Sequence, residues 1–428
     1  MIRRALLILV LLNFLSPKLA FSQVPTPAKE HKGYLMIKGG TIHVGNGEVI
    51  NDGLILINNG KIEKVGTQSD SNLIDSVALI TSPIEVVLVE GEIYPGLIAV
   101  NTQLGLKEID RVRASRDYRE VGINNANVRS IIAYNAESKI LPTVKYNGIL
   151  LAEIAPQGSM IAGQSSIVEL DAWNWQDAAY KVDMGLHIYW PSYRYNEKLK
   201  ARREKQVAEL DKIFREARAY SKQASPEVKN LKLEAMRGLF DGTKKVFVHA
   251  DRAVDMVEAV QFMNRYGIKT VIVGATQVAQ IIPFMKEHEV SIVLIRTHHL
   301  PSTTDAAYDE VYSTPKALQD SGVLFCIADE ESWQQRNLPF QAGTAAAFGL
   351  SKEQALAAIS SNTAQIYGLD SLGTIEEGKD ATLVVSTGDI LDMRTNKISL
   401  ALIRGKILDL NNHQEQLYKK YKAKYEEN

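Results

Sequence analysis

The chain has almost no cysteine. Its only cysteine is Cys326, which excludes disulfide bonds within the chain and any zinc site built from several thiolates. The chain also lacks a charge imbalance, because 49 basic residues stand against 50 acidic residues and the net charge is -1. That balance argues against nucleic-acid binding as the main function. Stability must therefore come from a packed core, for which a hydrophobic content of 45% is sufficient.

Long apolar runs are also missing. After the first residues, no run reaches the roughly 20 residues that a membrane-spanning helix needs. The chain begins with a basic segment and an apolar run over residues 5–15, and residues 20–22 place small side chains where a signal peptidase cleaves. We therefore predict a signal peptide over residues 1–22, a mature chain that begins at Gln23, and a periplasmic or secreted location without an integral membrane anchor.

Short apolar runs separated by Asn-Gly pairs follow this leader. The pairs at 46–47 and 59–60 each lie between two such runs, which is typical of β-hairpins. A similar pattern returns near the end of the chain. We predict that residues 33–92 and 370–410 form one composite β-sandwich domain built from both chain ends, and that residues 411–428 form a helical tail.

Between these ends, fully apolar runs alternate with stretches of helical periodicity. Four such runs are residues 246–249, 271–273, 290–295 and 323–327. Apolar strands that alternate with helices indicate a parallel sheet with helices on its faces. The consecutive units favour an α/β fold of the TIM-like (β/α)8 barrel type over a doubly wound sheet, although periodicity alone does not decide between them. We assign residues 93–369 to this barrel.

Residues 94–103 carry the most information about function. Their Pro-Gly-Leu-Ile segment resembles the first barrel strand of the amidohydrolase superfamily, which continues there as Asp-x-His-x-His. In this chain Ala99 stands in place of the aspartate. Asn101 and Gln103 stand in place of the two metal-binding histidines. The resemblance therefore implies a member of the superfamily with a degenerate metal site.

The resemblance extends over most of the chain. Residues 39–42 and 60–66 look like the N-terminal β-domain of the superfamily. Residues 346–350, 355–362 and 373–381 look like its closing segment. The collinear match identifies the chain as an imidazolonepropionase-like member, which implies a metal-dependent hydrolase fold.

The same resemblance implies which metal-site residues remain. His249 matches the ligand that ends the fifth barrel strand, and Asp329 matches the aspartate that ends the eighth strand and acts as the catalytic base. The sixth strand offers Ala275 where a histidine is needed. A catalytic zinc needs three protein ligands and one open position, and His298 or its neighbour His299 is the candidate for the third. We predict either one zinc or another divalent ion, or no metal, and we expect no two-metal centre of the family type.

Asn101, Gln103 and Arg336 are the predicted ligand-binding residues. The two amides either contact a ligand or only fill the barrel mouth and bond to loops. Arg336 follows the eighth strand, and its guanidinium fork matches a carboxylate; Arg296 is the second candidate for that role. The pair Ser165-Ser166 has no Asp–His partner that the sequence reveals, so a serine hydrolase is disfavoured.

Two classes of function follow from these residues. In the first, the protein is an exported hydrolase that acts on amide-type carbon–nitrogen bonds of non-peptide or small-peptide substrates, with an altered or single-metal site. In the second, it is a catalytically inactive homologue that binds a ligand or partners an active paralogue. The predicted partners are a small molecule and no nucleic acid. A homo-oligomer and a hetero-oligomer with a related amidohydrolase both remain open.

Overall fold

The computed structural model describes residues 26–193, 196–301, 304 and 306–426. The predicted signal peptide lies outside the described residues. Within the part of the chain that the structure describes, no helix is long and apolar enough to cross a membrane.

The strands fall into three sheets. In chain order they are β1 Tyr34–Lys38, β2 Thr41–His43, β3 Val49–Ile50, β4 Gly53–Asn58, β5 Lys61–Thr67, β6 Ile84–Leu88, β7 Glu92–Pro95, β8 Leu97–Thr102, β9 Ile149–Ile154, β10 Ile161–Glu169, β11 Ala179–Tyr189, β12 Lys245–Ala250, β13 Thr270–Gly274, β14 Ser291–Ile295, β15 Phe325–Ala328, β16 Leu383–Ser386, β17 Ile398–Ile403 and β18 Lys406–Ile407.

The α-helices lie mainly between the later strands. They are α1 Ser71–Ala78, α2 Leu141–Lys145, α3 Trp175–Ala178, α4 Glu197–Ser221, α5 Leu231–Asp241, α6 Ala253–Asn264, α7 Ile282–Glu287, α8 Glu310–Ser321, α9 Leu338–Ala347, α10 Lys352–Ala357, α11 Ser361–Tyr367 and α12 His413–Glu426.

Two smaller sheets combine the two ends of the chain. One has the order β5-β4-β1-β6, and the other has the order β18-β17-β16-β7-β2-β3. The second sheet joins the ends because Val384 of β16 pairs with Tyr94 of β7. Both predicted Asn-Gly hairpins are present, and Asn59 and Gly60 both adopt a positive φ, as the tight turn between β4 and β5 requires. The predicted composite β-domain is confirmed.

The central sheet contains eight strands, which neighbour one another in chain order from β8 to β15. Strands β11 to β15 are parallel, and β8 is parallel to β9. A short segment bridges the first and last strands: the Ile98 N–H donates to the carbonyl of Ile359 and the Ile327 N–H donates to that of Ala358. The sheet is thus a nearly closed barrel, which confirms the predicted fold class.

The third strand of the barrel, β10, departs from the predicted alternation of strands and helices. Strand β10 is antiparallel to both of its neighbours, β9 and β11. Parallel neighbours need a crossover of about a dozen residues or more, whereas residues 155–160 and 170–178 connect these strands. The segment before β9 instead holds two 3-10 turns and the short helix α2. The first half of the barrel therefore departs from strand–helix alternation, while the second half follows it.

Candidate functional site

A cavity of about 430 Å³ lies at the carboxyl ends of the barrel strands. This end is where β/α barrels carry their active sites. Its lining comes from the ends of most strands and includes Asn101, Tyr189, His249, Gly274, Arg296 and Glu330. Of the residues predicted for the site, Asn101 and His249 line this cavity.

His249 is one of two histidines that line this cavity. It is the fifth residue of β12 and half-buried, and its ring stacks on Tyr189 with 4.0 Å between centroids. Its Nε2 lies 2.9 Å from Nδ1 of His187, whereas no described residue hydrogen-bonds its Nδ1. Burial holds the pKa of His249 well below its ordinary value. His249 is thus a neutral imidazole at neutral pH, with one nitrogen free for a ligand or a water.

A fully buried carboxylate stands behind this imidazole. Glu153 of β9 and His187 of β11 are 0% exposed, and Glu153 Oε1 lies 3.0 Å from His187 Nε2. The Asn101 N–H and the Tyr367 hydroxyl both donate to Glu153 Oε2, each at 2.8 Å. Burial raises the pKa of Glu153, but His187, Ser165 and the Asn101 N–H outweigh it, and the net pKa is lowered. A charged carboxylate is therefore stable inside the barrel.

The two predicted amides occupy different positions. Asn101 lines the cavity, is 3% exposed, and has a positive φ of 55° that asparagine tolerates better than most residues. Its Oδ1 is buried and has no hydrogen-bond partner. Gln103 is also buried with an unpartnered Oε1, but it does not line the cavity. The structure thus places Asn101, rather than Gln103, at the cavity.

Asp329 lies behind the cavity wall. It is 2% exposed, and both of its carboxylate oxygens accept hydrogen bonds, one from the Glu330 N–H at 2.7 Å and one from Gln341 Nε2. Burial raises the pKa of Asp329 to about 6. Its Oδ1 lies 4.0 Å from Nε of Arg296, which does line the cavity. Asp329 therefore lies beside Arg296 but does not itself line the cavity.

The remaining predicted residues lie away from this cavity. The guanidinium of Arg336 donates to the carbonyl of Trp333, within the same turn of 3-10 helix, and Arg336 does not line the cavity. His298 bonds to Thr344 through Nε2 at 2.6 Å and lines a separate cavity. His299 lines the cavity at the strand ends in its place. Of the two arginines weighed for carboxylate binding, the one at the cavity is Arg296 and not the preferred Arg336.

These placements decide whether the side chains fit a metal. Nε2 of His249 faces His187, the oxygens of Asp329 are bonded elsewhere, and His298 lies in another cavity. In the described ranges, no group of three or more His, Cys, Asp and Glu side chains is arranged to hold a metal ion. A catalytic zinc needs three protein ligands. The donor set therefore does not fit such an ion, and we derive no chemical step through one.

Glu153 and His187 were missed by the sequence analysis. One signal was available, because Glu153 interrupts the otherwise apolar run over residues 149–154, and a charge inside an apolar strand needs a buried partner. Nothing in the sequence pairs it with His187, since that contact joins strands that are not adjacent in the barrel. Only the closed sheet brings the two side chains together.

The comparisons with known proteins agree with this fold. The model of the amidohydrolase family matches residues 191–408. No curated protein shows significant similarity to the chain. A solved amidohydrolase from Thermotoga maritima MSB8 is 21% identical, with a TM-score of 0.75 over 88% of this chain and 99% of that chain.

Two further solved structures share the fold at lower similarity. A molinate hydrolase is 15% identical with a TM-score of 0.55, over 89% of this chain and 96% of its own. An adenosine deaminase from Xanthomonas campestris with bound zinc is 16% identical with a TM-score of 0.50, over 91% and 98%. At these identities the likenesses show the fold alone. Because the family model spans just over half of the 428 residues, the chain belongs to the amidohydrolase family.

Proposed function

We propose that the protein hydrolyses an amide-type carbon–nitrogen bond in a small polar substrate bound in the barrel cavity, with His249 as the general base. One observation carries the proposal: an imidazole at the cavity is backed by a buried carboxylate through a second imidazole. A buried carboxylate that fixes an imidazole tautomer is a recurrent device for making a histidine an effective base.

The hydrogen bonds that link Glu153, His187 and His249 allow a consistent arrangement of protons. We assign His187 the neutral tautomer that donates from Nε2 to Glu153 and accepts at Nδ1 from Nε2–H of His249. This tautomer leaves the lone pair of His249 on Nδ1, the nitrogen without a protein partner among the described residues. Because its pKa is lowered, His249 remains unprotonated at neutral pH.

In the proposed hydrolysis, every proton taken from the water is returned to the leaving group. Nδ1 of His249 takes a proton from a water while the water oxygen bonds to the carbonyl carbon. When the carbon–nitrogen bond breaks, the leaving nitrogen takes that proton from the imidazolium, and the products are a carboxylic acid and an amine. Members of this family generally use divalent metals, which activate the water and polarise the carbonyl. In this chain the base is assigned to His249 because the donor set does not fit a metal.

The test is a hydrolysis assay on N-acylated amino acids, dipeptides and cyclic amides, with and without chelator. We expect His249→Ala to lower kcat/KM by about 100-fold or more, the usual contribution of a general base. His299→Ala is the matched control, because His299 lines the same cavity but its Nδ1 bonds to the carbonyl of Leu300. Equal activity in both variants would refute the role of His249.

Elemental analysis of protein dialysed against metal-free buffer tests the metal content separately. Two equivalents of zinc per chain would contradict our reading of the donor set. One equivalent that disappears in His249→Ala would instead support a single-metal hydrolase, the form that the resemblance predicted.

A second candidate function has its own supporting observation. Asn101, Gln103 and Ala275 stand where the family needs histidine ligands, which favours a catalytically inactive homologue. Such a protein binds a ligand in the cavity or partners an active paralogue. Calorimetric binding of a substrate that is never hydrolysed would support the first of these roles. Co-purification with an intact amidohydrolase encoded nearby would support the second.

We also propose that the protein is exported. The support is the basic start, the short apolar run and the small residues before Gln23. N-terminal sequencing of protein from the periplasm or medium should begin at Gln23. Recovery of an intact Met1 in the cytoplasmic fraction would count decisively against export.

A further inference from the structure

We infer that a lateral groove beside the barrel cavity binds an acidic peptide segment. The lateral groove has a volume of about 830 Å³, and its lining includes residues of the segment 119–123 and of the first half of α4. It shares Tyr189, Trp190 and Ser192 with the cavity at the strand ends, so the two sites are continuous. The inference goes beyond the proposed function, because it concerns a second binding site and requires no hydrolysis.

Three cations that line the lateral groove have no ionic partner. Arg119, Arg202 and Lys205 are exposed, and no side chain that the structure describes forms an ion pair or a hydrogen bond with any of them. The fourth lining cation, Arg203, differs from them because it pairs with Glu258. The three cations are therefore available to a ligand.

The charge around these cations is not balanced locally. Residues 197–205 contain five basic and two acidic side chains. Of the described residues that line the lateral groove, Glu209 alone is acidic. Positive charge that is concentrated in a concave surface attracts anions from solution. The lateral groove therefore favours an anionic ligand.

Gly158 lets Arg119 lie along the lining. A Cβ atom on Gly158 would be 2.4 Å from Nε of Arg119, so the guanidinium crosses the glycine at a distance that no other residue type permits. Gly158 also has a positive φ of 70°, which suits glycine. A cation that is already placed against the lining loses less freedom when it binds an anion.

Apolar side chains accompany the cations on both sides of the lateral groove. Ile123 follows Arg119 and is 59% exposed, and Leu199 precedes Arg202 and is 45% exposed. Leu199, Arg202 and Gln206 are three and four residues apart, so they lie on one face of α4. A simple anion such as phosphate would leave this apolar surface uncovered. The ligand therefore combines apolar and anionic groups.

Unused hydrogen-bonding groups favour a peptide over an anionic lipid. The side-chain amide of Gln206 forms no hydrogen bond with a described residue, and neither do the backbone N–H and C=O of Gly122, which also lines the groove. These groups match the donor and acceptor of a peptide unit, whereas an acyl chain offers them no partner. A peptide in which apolar and acidic residues alternate contacts all three kinds of group.

The experiment uses capped peptides, so that no terminal carboxylate contributes to binding. The probes are acetyl-Leu-Glu-Leu-Glu-amide and its uncharged counterpart acetyl-Leu-Gln-Leu-Gln-amide. Calorimetry measures their binding to the full chain and to His249→Ala, in which the proposed base is absent. We expect the acidic peptide to bind about tenfold more tightly at about 0.02 M salt, and the difference to shrink at about 0.5 M salt because ions screen exposed charges.

Substitutions in the lining locate the binding site. Arg119→Gln and Lys205→Gln should each weaken binding of the acidic peptide about threefold, as exposed ion pairs predict, and the double variant should remove the preference. Glu209→Gln should strengthen binding of the acidic peptide, because it removes a repelling carboxylate. Lys212→Gln is the matched control, since Lys212 is another exposed lysine of α4 that does not line the groove. Thermal unfolding verifies that each variant is folded.

Several results would overturn the inference. They are equal affinity for the two peptides, no binding of the acidic peptide at about 1 mM, a preference that survives in the double variant, and an equal loss in Lys212→Gln. Binding of phosphatidylglycerol vesicles without any preference for the acidic peptide would assign the groove to a lipid surface and overturn it too. An acidic peptide that binds with the expected preference but is not cleaved supports the inference, whatever the hydrolysis assay shows.

Discussion

At the scale of single residues, Glu153 determines the inner wall of the site. Its carboxylate has no solvent exposure and accepts from His187, from the Asn101 N–H and from the Tyr367 hydroxyl. Three donors converge on two oxygens, so an amide cannot replace the carboxylate without turning an NH2 group towards a donor. The same contacts fix the tautomer of His187, and through it the free nitrogen of His249.

Glu153→Gln should therefore lower the free energy of unfolding by about 2 kcal/mol or more at pH 7. The folded pKa of Glu153 is lowered, so this stabilisation is present above the unfolded value of about 4.3 and is lost as the pH falls through the folded pKa. Urea unfolding between pH 3 and 7 measures it. Glu204→Gln, on the exposed surface of α4, is the control and should change little. A difference between variant and wild type that is independent of pH would contradict the assignment.

At the scale of elements, strand β11 positions the imidazole network by close packing. A Cβ on Gly185 would lie 2.3 Å from the ring of Phe247 in β12. That ring stacks between His187 and Tyr367, with centroids 5.0 and 4.9 Å away. The glycine therefore lets Phe247 approach the strand and support the side chains that contact Glu153.

Gly185→Ala should destabilise the protein by about 1–3 kcal/mol, because the added methyl group displaces Phe247. We also expect activity or ligand affinity to fall, since His187 packs on the same ring. Gly66→Ala is the matched strand control, because its nearest contact is 3.3 Å from the flexible side chain of Leu73. Thermal unfolding of both variants tests this prediction. A Gly185→Ala variant with the wild-type Tm would show that β11 accommodates a methyl group at this position without displacing Phe247.

His43 joins the β-domain to the barrel. Its ring stacks on Tyr94, and its two nitrogens lie 2.6 Å from Glu353 of α10 and 3.1 Å from Glu92 of β7. Burial lowers the pKa of His43, but the two carboxylates outweigh burial and raise it overall. A protonated His43 thus bridges one element of the barrel and one of the β-domain.

Because this folded pKa is raised, the contribution of His43 to stability is fully present below the unfolded value of about 6.5 and is lost as the pH rises through the folded pKa. His43→Gln should therefore lower the Tm most at pH 6 and progressively less towards pH 9. The exposed His413 supplies the control variant His413→Gln. A stability loss that grows with pH would reverse the sign and disprove the bridge.

At the scale of the whole molecule, the two chain ends depend on each other. Strand β7 lies between β2 from the N-terminal side and β16 from the C-terminal side. The Lys61 ammonium also lies 2.7 Å from Asp380, and the Ile62 N–H donates to the carbonyl of Lys379. By contrast, the terminal helix α12 has no buried residue.

Removal of residues 381–428 should consequently give insoluble or unfolded protein, because it exposes the apolar edge of β7. Removal of residues 413–428 should leave a folded protein with a Tm close to that of the full chain. Circular dichroism and gel filtration of the two truncated chains test this difference. A soluble, cooperatively unfolding 1–380 fragment would show that the N-terminal strands fold without the C-terminal ones.

The sequence by itself determined the features that depend on local pattern. The Asn-Gly pair at residues 59–60 specifies a hairpin because both residues adopt a positive φ. Ser351 with Gln354 specifies a helix start because the side chain of each accepts a hydrogen bond from the backbone N–H of the other. Apolar strands in alternation with helices indicated the barrel. The motif at residues 94–103 placed Asn101 at its mouth, and His249 followed from its position at a strand end.

Only the tertiary structure decided which polar groups meet. Glu153 and His187 come from strands that do not adjoin, so no spacing along the chain predicts their contact. Arg296 rather than Arg336 reaches the cavity because the backbone turns through a positive φ at the end of β14, whereas Arg336 bonds within its own helical turn. The antiparallel β10 follows from loop lengths around it. Long-range contacts depend on the closure of the whole sheet, and local sequence pattern carries no information about that closure.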